Sequence, residues 1–556
     1  MKALYQKIRA LNGKNYGLYK SLADKNWDFG DFVLEFLHVQ GDPFAPASRL
    51  LIRTKIENLG YSSEWGVEFE RRLALSDFLT RKLSAIIAEQ SSEKNAPIIF
   101  DNIGPEILVR NSLWIDNGEL RACLQVRLPG DGRKIQSESA AELLTMTLPD
   151  LVSAALYHSV SNDEPLQKTY QTLIDRKSIL TVMQDKNLVA FIANGAILPR
   201  SSGISQTPLT SAVPFESPKE LTVELSVNGR NIQGMGIPKG ITVITGGAFH
   251  GKSTLLQALA SAVHPHIPGD GRENVVVDES ALWVGVEDGR NVRNSDISAL
   301  VRSLPGGIST NSFSTQKASG STSEAANLME AVEFGAKTFF IDEDSSAVNF
   351  LIRDSRVRTL LGDEREPLIP LTDRIQEFKD SGYSFVLVAG ACGDFLSFAD
   401  NIIILNNYRA EYANANFERP AKQQDLPPLQ IPSRRSFTQY LAPLQKGLRP
   451  TSVVERLVKV KITGDALLQI GFLASDVSKI KGLVDKQQRL GAGYILLNLC
   501  QNADDGTLTI ADAINNLYEK LRNVGFRNLP QGMSREMSLP RPIDLACALF
   551  RLQMNA

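Results

Sequence analysis

The chain has 556 residues, of which 43% are hydrophobic and 22% are charged, and it carries a formal net charge of −2. This length predicts two to four domains, and the composition is that of a folded globular protein, which excludes disordered and fibrous classes. The charge also excludes a wholly basic nucleic-acid coat, so a nucleic-acid site would have to be a local patch.

The cysteines and the apolar segments indicate the compartment. Cys123, Cys392, Cys500 and Cys547 lie far apart without metal-ligand spacing, which predicts buried, reduced thiols. The first residues lack the apolar run of a secretion signal, and no stretch approaches the roughly 18 apolar residues of a membrane helix. We therefore expect a soluble, cytoplasmic protein with no membrane partner.

The first 218 residues mix helix and strand patterns. They predict an N-terminal α+β region in two parts, residues 1–95 and 96–218, with strands at 112–115 and 124–128. The first part mixes aromatic and basic residues, which suit either a nucleic-acid surface or the solvated face of a helix. These residues are Lys14, Tyr16, Tyr19, Lys20, Arg49 and Arg53.

The middle of the chain, residues 219–410, alternates strand and helix patterns. This alternation predicts an α/β core with a mostly parallel sheet and helices on its faces. A polar, proline-bearing stretch at 411–440 predicts a linker, and helical spacing in 441–556 predicts a small, mainly helical C-terminal domain. The predicted core strands are 242–245, 282–286, 338–341, 385–389 and 402–405.

The strongest motif lies at the start of this core. A segment of the form G-x-x-x-x-G-K-[ST] follows a strand-like run and precedes apolar residues at helical spacing, as a phosphate-binding P-loop requires. Its glycines allow backbone N–H groups to surround phosphate oxygens at a helix N-terminus. Lys252 would reach the β- and γ-phosphates, and Ser253 would hold Mg²⁺. The predicted nucleotide-binding residues are Gly246, Gly247, Ala248, Phe249, His250, Gly251, Lys252, Ser253 and Thr254.

Two further segments supply candidate catalytic groups. The apolar strand at 338–341 ends in two carboxylates, the Walker B pattern, in which Asp342 would reach Mg²⁺ and Glu343 would act as general base toward water. Upstream, Ser321 and Glu324 have the spacing of a capping box. This spacing predicts a well-capped helix whose remaining N–H groups can face an anion.

Together these motifs resemble the ATP-binding cassette. Ser319 and Gly320 are similar to the Ser-Gly of the family's signature, and the run that ends at Asn349 resembles the loop that meets the partner subunit. The resemblance implies that Ser319 and Gly320 act in catalysis and that Ser321 and Asn349 contact nucleotide. Two positions depart from the pattern, since Asn349 replaces an aspartate and 388–394 contains no switch histidine.

The closer resemblance is to the predicted ATPases of the ABC class, a family related to a kinetoplastid mitochondrial RNA-binding ATPase. It implies ATP and Mg²⁺ as cofactors, a head-to-tail homodimer of ATPase cores, and single-stranded RNA or another nucleic acid as a candidate partner. It also places Glu287 where a glutamine touches Mg²⁺, with a surface turn carrying a charge pair as the alternative. The resemblance extends over about residues 12–410 and rests on residues 38–44, 198–200, 234–238, 287–290 and 319–326.

Three functional classes follow from these features. The resemblance and the additional domains favour an ATPase linked to RNA or DNA, and the missing histidine favours a slow, nucleotide-gated protein-interaction switch. The large flanking domains disfavour the energising subunit of a transporter. We therefore expect an ATP hydrolase that works at composite sites of a homodimer and is coupled to RNA binding, with the switch as the alternative.

Overall fold

The computed structural model describes residues 1–90, 97–203, 205–362, 365–415, 417–418, 426–450, 457–502, 508–524, 526, 529 and 536–554. The chain divides into two compact units. Unit 1 comprises Met1–Ile174 and Glu519–Leu539, and unit 2 comprises Asp175–Tyr518 and Pro540–Ala556. The four cysteines are buried free thiols, as expected. No helix in the described ranges is long and apolar enough to cross a bilayer.

Unit 1 is built on an antiparallel sheet of order β1-β2-β3-β6-β4, with β5 paired to β6 and α2 packed against β5 and α4. The predicted α+β character of this region is confirmed. Its strands are β1 (Trp27–Asp28), β2 (Val33–His38), β3 (Ser48–Lys55), β4 (Ile98–Ile99), β5 (Leu113–Asp116), β6 (Glu119–Val126), β7 (Gly130–Asp131) and β8 (Lys134–Ile135). The helices up to residue 185 are α1 (Lys2–Arg9), α2 (Phe69–Gln90), α3 (Ser137–Glu142), α4 (Leu148–Leu156) and α5 (Asp163–Asp185).

Tyr16 and Tyr19, two of the candidates for a nucleic-acid surface, are core residues. They are 1% and 0% exposed, and their hydroxyl groups donate to the carbonyl oxygens of Leu128 and Pro129 at 2.7 and 2.8 Å. A buried ring cannot stack on a base. The nucleic-acid interpretation of these two tyrosines is therefore wrong.

The remainder of the chain contains sixteen described strands and nine described helices. The strands are β9 (Leu188–Ala193), β10 (Thr222–Val227), β11 (Arg230–Pro238), β12 (Ile241–Gly246), β13 (Val275–Val277), β14 (Leu282–Val284), β15 (Val292–Ser295), β16 (Phe313–Thr315), β17 (Thr338–Asp342), β18 (Ser384–Val388), β19 (Asn401–Asn406), β20 (Arg409–Tyr412), β21 (Val460–Thr463), β22 (Leu467–Ile470), β23 (Leu473–Asp476) and β24 (Gln553–Met554). The helices are α6 (Lys252–Ser261), α7 (Gly320–Phe334), α8 (Val348–Leu351), α9 (Ser355–Leu361), α10 (Leu371–Asp380), α11 (Phe437–Leu441), α12 (Lys486–Gln501), α13 (Ile510–Val524) and α14 (Pro542–Phe550).

The central sheet of unit 2 has the order β14-β17-β18-β12-β19-β20. Its first five strands are parallel and β20 is antiparallel. All five strands predicted for the core are present in it, each within two residues of the expected bounds. Helix α6 packs against β12, β17 and β18, and the α/β class of the core is confirmed.

A second, antiparallel sheet of order β10-β11-β9-β13 belongs to the same unit. Strand β9 begins at Leu188, before the core start expected at residue 219, because its buried residues pair with β11 and β13. At Gly234 of β11, a Cβ would collide with the carbonyl oxygen of Ile192 in β9. This glycine therefore permits the close approach of the two strands.

The C-terminal part contains more strand than expected. Helices α12, α13 and α14 agree with a mainly helical region, but β21, β22, β23 and β24 form an additional antiparallel sheet. The expected linker at 411–440 falls partly outside the described residues. In its described part, Arg435 makes a largely buried ion pair with Glu333 of α7 at 2.7 Å. Charge pairing therefore anchors this segment.

We predict that Gly234→Ala lowers the thermal stability of the protein. The added methyl group overlaps the Ile192 carbonyl, and such overpacking costs about 1–3 kcal/mol in the free energy of unfolding. Thermal denaturation followed by circular dichroism measures the effect. Gly203→Ala is the matched control, since a Cβ there meets no described atom within 4 Å. Equal shifts in both variants would contradict the prediction.

Candidate functional site

The loop between β12 and α6 depends on two glycines with positive φ. Gly246 (φ 137°) leaves no room for a Cβ beside the carbonyl oxygen of Leu405, and Gly251 (φ 101°) is the N-cap of α6. Phe249 has φ 64°, which is unusual for a bulky residue, and its side chain is 94% exposed. Gly247 and Ala248 are also exposed. The loop thus presents backbone groups at a helix N-terminus, as a phosphate cradle requires.

Lys252 turns back over this loop. Its Nζ donates to the carbonyl oxygens of Gly246 and Gly247 at 2.8 and 2.9 Å. Ser253 follows in the first turn of α6 and is half-buried. The structure therefore holds an ammonium group and a hydroxyl-bearing residue next to the backbone that would contact phosphate.

An apolar cavity, partly open to solvent, lies beside the loop. His250 connects this cavity to the sheet, because its Nδ1 accepts from the N–H of Asn407 at 3.0 Å and its carbonyl oxygen accepts from the N–H of Tyr408 at 3.3 Å. Apolar walls with few polar groups suit a planar heterocyclic ligand. The cavity is lined by Leu198, Pro199, Val213, Phe215, His250, Gly251, Thr254, Leu255, Leu405 and Tyr408.

The two carboxylates at the end of β17 have different environments. Asp342 is 6% exposed, and burial raises its pKa although its Oδ1 accepts from the N–H of Asp344 at 3.3 Å. Glu343 is half-buried, and its Oε2 accepts from the three backbone N–H groups of residues 390–392. The second carboxylate is therefore held by the segment that follows β18.

Sheet register explains why these groups meet. In β18, Val388 pairs with Ile244 of β12 on one side and with Asp342 of β17 on the other. Parallel strands in register carry their following loops to one edge of the sheet. The P-loop, Glu343 and residues 390–392 consequently share that edge.

The turn at Ser319 begins α7 in a way that differs from the expected capping box. Ser319, and not Ser321, is the N-cap residue. Glu324 is fully buried, and its Oε2 accepts from the N–H of Ala347 at 2.8 Å. The predicted capping box is wrong, because this contact takes the carboxylate away from the helix N-terminus. Glu324 instead ties α7 to the segment after β17.

The structure does not join the signature turn to the P-loop of the same chain. Within the described ranges, no hydrogen bond links Ser319, Gly320 or Ser321 to the P-loop. Ser321 is buried, whereas Asn349 is exposed. The part that these residues take in nucleotide binding stays a prediction.

Glu287 lies in a buried ionic network. Its two carboxylate oxygens accept from Arg551, just after α14, at 2.5 and 2.9 Å, and Oε1 also accepts from Asn327 of α7 at 3.1 Å. Burial is the largest single influence and would raise the pKa of Glu287. The charge and hydrogen bonds of Arg551, the charge of Arg290 and the hydrogen bond from Asn327 together outweigh it, so the pKa is lowered. The alternative of a surface charge pair within 287–290 is wrong, since Arg290 pairs with Glu330. Contact of Glu287 with Mg²⁺ stays a prediction.

Three groups that bind the carboxylates of Glu287 and Glu343 are not predicted from the sequence. Asn327 lies seven residues after Gly320, a helical spacing that places both on one face of α7 and could have indicated it. Arg551 is remote in sequence from Glu287, and no local pattern links them. The backbone of 390–392 carries no side-chain signature, although a glycine directly after an apolar strand is a cue for a special turn.

Three family models match consecutive parts of the chain. The model of the N-terminal domain of ATPases of the ABC class matches residues 1–159, the ABC ATPase P-loop domain matches 162–438, and the MRB1590 C-terminal domain matches 459–555. An uncharacterized protein of Methanocaldococcus jannaschii is 31% identical over 259 residues. The similar region covers 45% of this chain and 57% of the length of that relative.

Solved ATP-binding cassettes are more distant. The cassette MJ1267 of an ABC transporter, in its ADP conformation, is 11% identical over 34% of this chain and 86% of its own, with a TM-score of 0.22. The protein cbiO1 from Clostridium perfringens, part of the transporter complex cbiONQ, is 15% identical over 40% of this chain and 87% of its own, with a TM-score of 0.25. Neither similarity bears on function.

The parallel sheet and the glycine loop after β12 define a P-loop core of the α/β class. With the three family matches, they show that the chain belongs to the ATPases of the ABC class related to MRB1590. Its P-loop domain is a nucleotide-binding domain.

We predict that Glu324 makes the stability of the protein depend on pH. Burial raises the pKa of this carboxyl group from 4.5 to about 7, so the folded chain binds the proton more tightly than the unfolded chain. The stabilising contribution is therefore fully present below about pH 4.5 and is lost as the pH rises through about 7. The loss amounts to about 3 kcal/mol in the free energy of unfolding.

Urea unfolding at about pH 5 and about pH 8.5 measures this dependence. Glu324→Gln keeps an acceptor for Ala347 but cannot ionise, so its stability should fall by about 3 kcal/mol less between the two pH values. Glu138→Gln is the control, because the side chain of Glu138 is 90% exposed. A Glu324→Gln protein with wild-type pH dependence would refute the prediction.

Proposed function

We propose that this chain binds and hydrolyses Mg-ATP at composite sites formed by two copies of itself. The meeting of the P-loop, Lys252 and Glu343 at one edge of the parallel sheet is the observation that carries the proposal. Loop N–H groups would hold phosphate oxygens, while Lys252 would exchange the carbonyl oxygens of Gly246 and Gly247 for those of the β- and γ-phosphates.

Asp342 and Ser253 fit the Mg²⁺ that this chemistry uses. Carboxylate and hydroxyl oxygens are the hard donors that Mg²⁺ prefers, and the ion usually shares its ligands with substrate phosphates. Glu287 fits less well, since Arg551 and Asn327 already bind its oxygens. When bound, the ion neutralises charge on the β- and γ-phosphates.

The apolar cavity beside the P-loop is suited to the nucleotide base. Phe215 and Tyr408 supply aromatic surface, and Thr254 belongs to both the P-loop and the cavity wall. An aromatic face stacks on any base, so these contacts support nucleotide binding but do not distinguish ATP from GTP. Polar groups at the edge of the cavity would have to make that distinction.

A second copy would supply the Ser319–Gly320 turn. Within the described ranges this turn has no hydrogen bond to its own P-loop, and two apolar side chains near the catalytic edge face solvent. Phe249 in the P-loop is 94% exposed, and Val348, five residues after Glu343, is 67% exposed. Head-to-tail pairing would cover both side chains and complete two equivalent sites.

We predict that Glu343→Gln traps an ATP-bound dimer. Without a carboxylate to take the proton from water, hydrolysis stops, and the γ-phosphate continues to join the two copies. Light scattering with Mg-ATP, Mg-ADP and no nucleotide measures the mass. Asp344→Asn is the matched control, since Asp344 is the next carboxylate along the chain and is exposed. A Glu343→Gln protein that stays monomeric with saturating Mg-ATP would count against composite sites.

RNA binding is the coupled activity that we propose. It rests on the resemblance to a kinetoplastid mitochondrial RNA-binding ATPase, and the model of the MRB1590 C-terminal domain, which matches residues 459–555, gives the region to test. In that range, Lys479 is exposed. The ammonium group of Lys481 lies 5.7 Å from the centroid of the Trp283 ring, and partial burial, together with the charge of Lys479, lowers its pKa. These two neighbouring lysines could form a local basic patch, which the net charge of the chain allows.

Filter binding with single-stranded RNA and with duplex DNA over a salt series tests this coupling. True phosphate contacts give a steep salt dependence, and replacing Lys479 and Lys481 by Gln should reduce the slope by about 1 to 2. Lys446→Gln is the control, because Lys446 is exposed and outside the matched range. Negligible retention of both polymers at low salt would favour the alternative, a nucleotide-gated protein-interaction switch.

A further inference from the structure

Three backbone donors converge on one atom at the catalytic edge. The N–H groups of Gly390, Ala391 and Cys392, shortly after β18, donate to Oε2 of Glu343 at 2.7, 3.0 and 3.2 Å. Successive N–H groups that converge on one oxygen form an anion-binding nest. Gly390 and Ala391 are exposed, so a ligand can reach these donors.

The nest lies beside the ammonium group of Lys252. A Cβ built on Gly390 would be 3.7 Å from Cε and 3.9 Å from Nζ of Lys252, and 4.0 Å from Oε2 of Glu343. The space beside Gly390 is therefore bounded by a cation and by the N–H donors, which both attract an anion. In this structure the anion is the carboxylate of Glu343.

We propose that the nest of residues 390–392 is the subsite for the terminal phosphate of a bound nucleoside triphosphate, and that Glu343 occupies it until the nucleotide arrives. This inference rests on the proposed function. The segment 388–394 contains no histidine that could contact the terminal phosphate. The N–H groups of the nest supply that contact instead. Because a phosphate and a carboxylate cannot share the same three donors, binding of a triphosphate expels the Glu343 carboxylate.

As a result of this exchange, the general base Glu343 is released only when a nucleoside triphosphate binds. While Oε2 of Glu343 accepts three hydrogen bonds, the carboxylate is held at the nest and cannot turn toward an attacking water. Once displaced, the carboxylate is free to do so. A nucleoside diphosphate lacks the terminal group and leaves Glu343 in the nest. The subsite therefore distinguishes triphosphates from diphosphates.

The first test compares a nonhydrolysable ATP analogue with ADP, each with Mg²⁺, by isothermal titration calorimetry. Gly390→Ala places a methyl group between Lys252 and Glu343 at ordinary contact distances, so the unliganded fold accommodates it. The affinity for the analogue should fall at least about tenfold, while the affinity for ADP should change less than about twofold. Gly393→Ala is the matched control and should change neither, because a Cβ there meets no described atom within 4 Å.

The second test removes the occupant of the nest. Glu343→Ala frees the three donors and removes a competing negative charge, so the analogue should bind about three- to tenfold more tightly while ADP binding is unchanged. Since neither ligand is hydrolysed, the change reports binding alone.

Retained ADP binding shows that each variant is folded. An equal loss for both nucleotides in Gly390→Ala, or a loss for neither, would overturn the phosphate subsite. A Glu343→Ala protein that binds the analogue no better than wild type would do the same. A wild-type protein that binds neither nucleotide would instead overturn the proposed function.

Discussion

The parallel register of three strands is the constraint on which the site depends. Val388 of β18 pairs with Ile244 of β12 and with Asp342 of β17, so the loops after these strands reach one edge of the sheet. Fully buried side chains such as Phe340 and Val386 hold the strands in a dry interior, as a parallel sheet requires. The geometry of the candidate site is thus a property of the sheet, and no single motif creates it.

Helix α7 carries charge into the interior of unit 2. Every residue from Ser321 to Glu333 is buried, including three glutamates. Arginines from other segments pair with two of these glutamates, Glu330 and Glu333, and with the neighbouring Glu287. Removing one member of such a buried pair costs about 3–5 kcal/mol because the other is left unpaired. The signature turn that begins α7 is therefore fixed in place by segments far along the chain. The pairs are Arg290 with Glu330, Arg435 with Glu333 and Arg551 with Glu287.

Local signals in the sequence predict the core strands, whereas tertiary partners cannot be read from it. Glycine spacing and short apolar runs are local, so the core strands could be predicted before the structure was known. The predicted capping box of Ser321 and Glu324 is wrong, because the Glu324 carboxylate accepts from the N–H of Ala347 in the segment after β17. No pattern joins Glu287 to Arg551. The nest of residues 390–392 consists of backbone, which every residue has, so no residue type marks it.

A backbone nest and a histidine would hold a terminal phosphate in different ways. Imidazole titrates near about pH 6.5, whereas peptide N–H groups keep their charge distribution at all physiological pH values and are oriented before the ligand arrives. In this chain the nest is already filled by Glu343, so a triphosphate that binds there would displace a like charge. The proposed exchange would lower the affinity for the triphosphate but would release the proposed base in the same step. A chain without the histidine can therefore still make hydrolysis depend on the terminal phosphate.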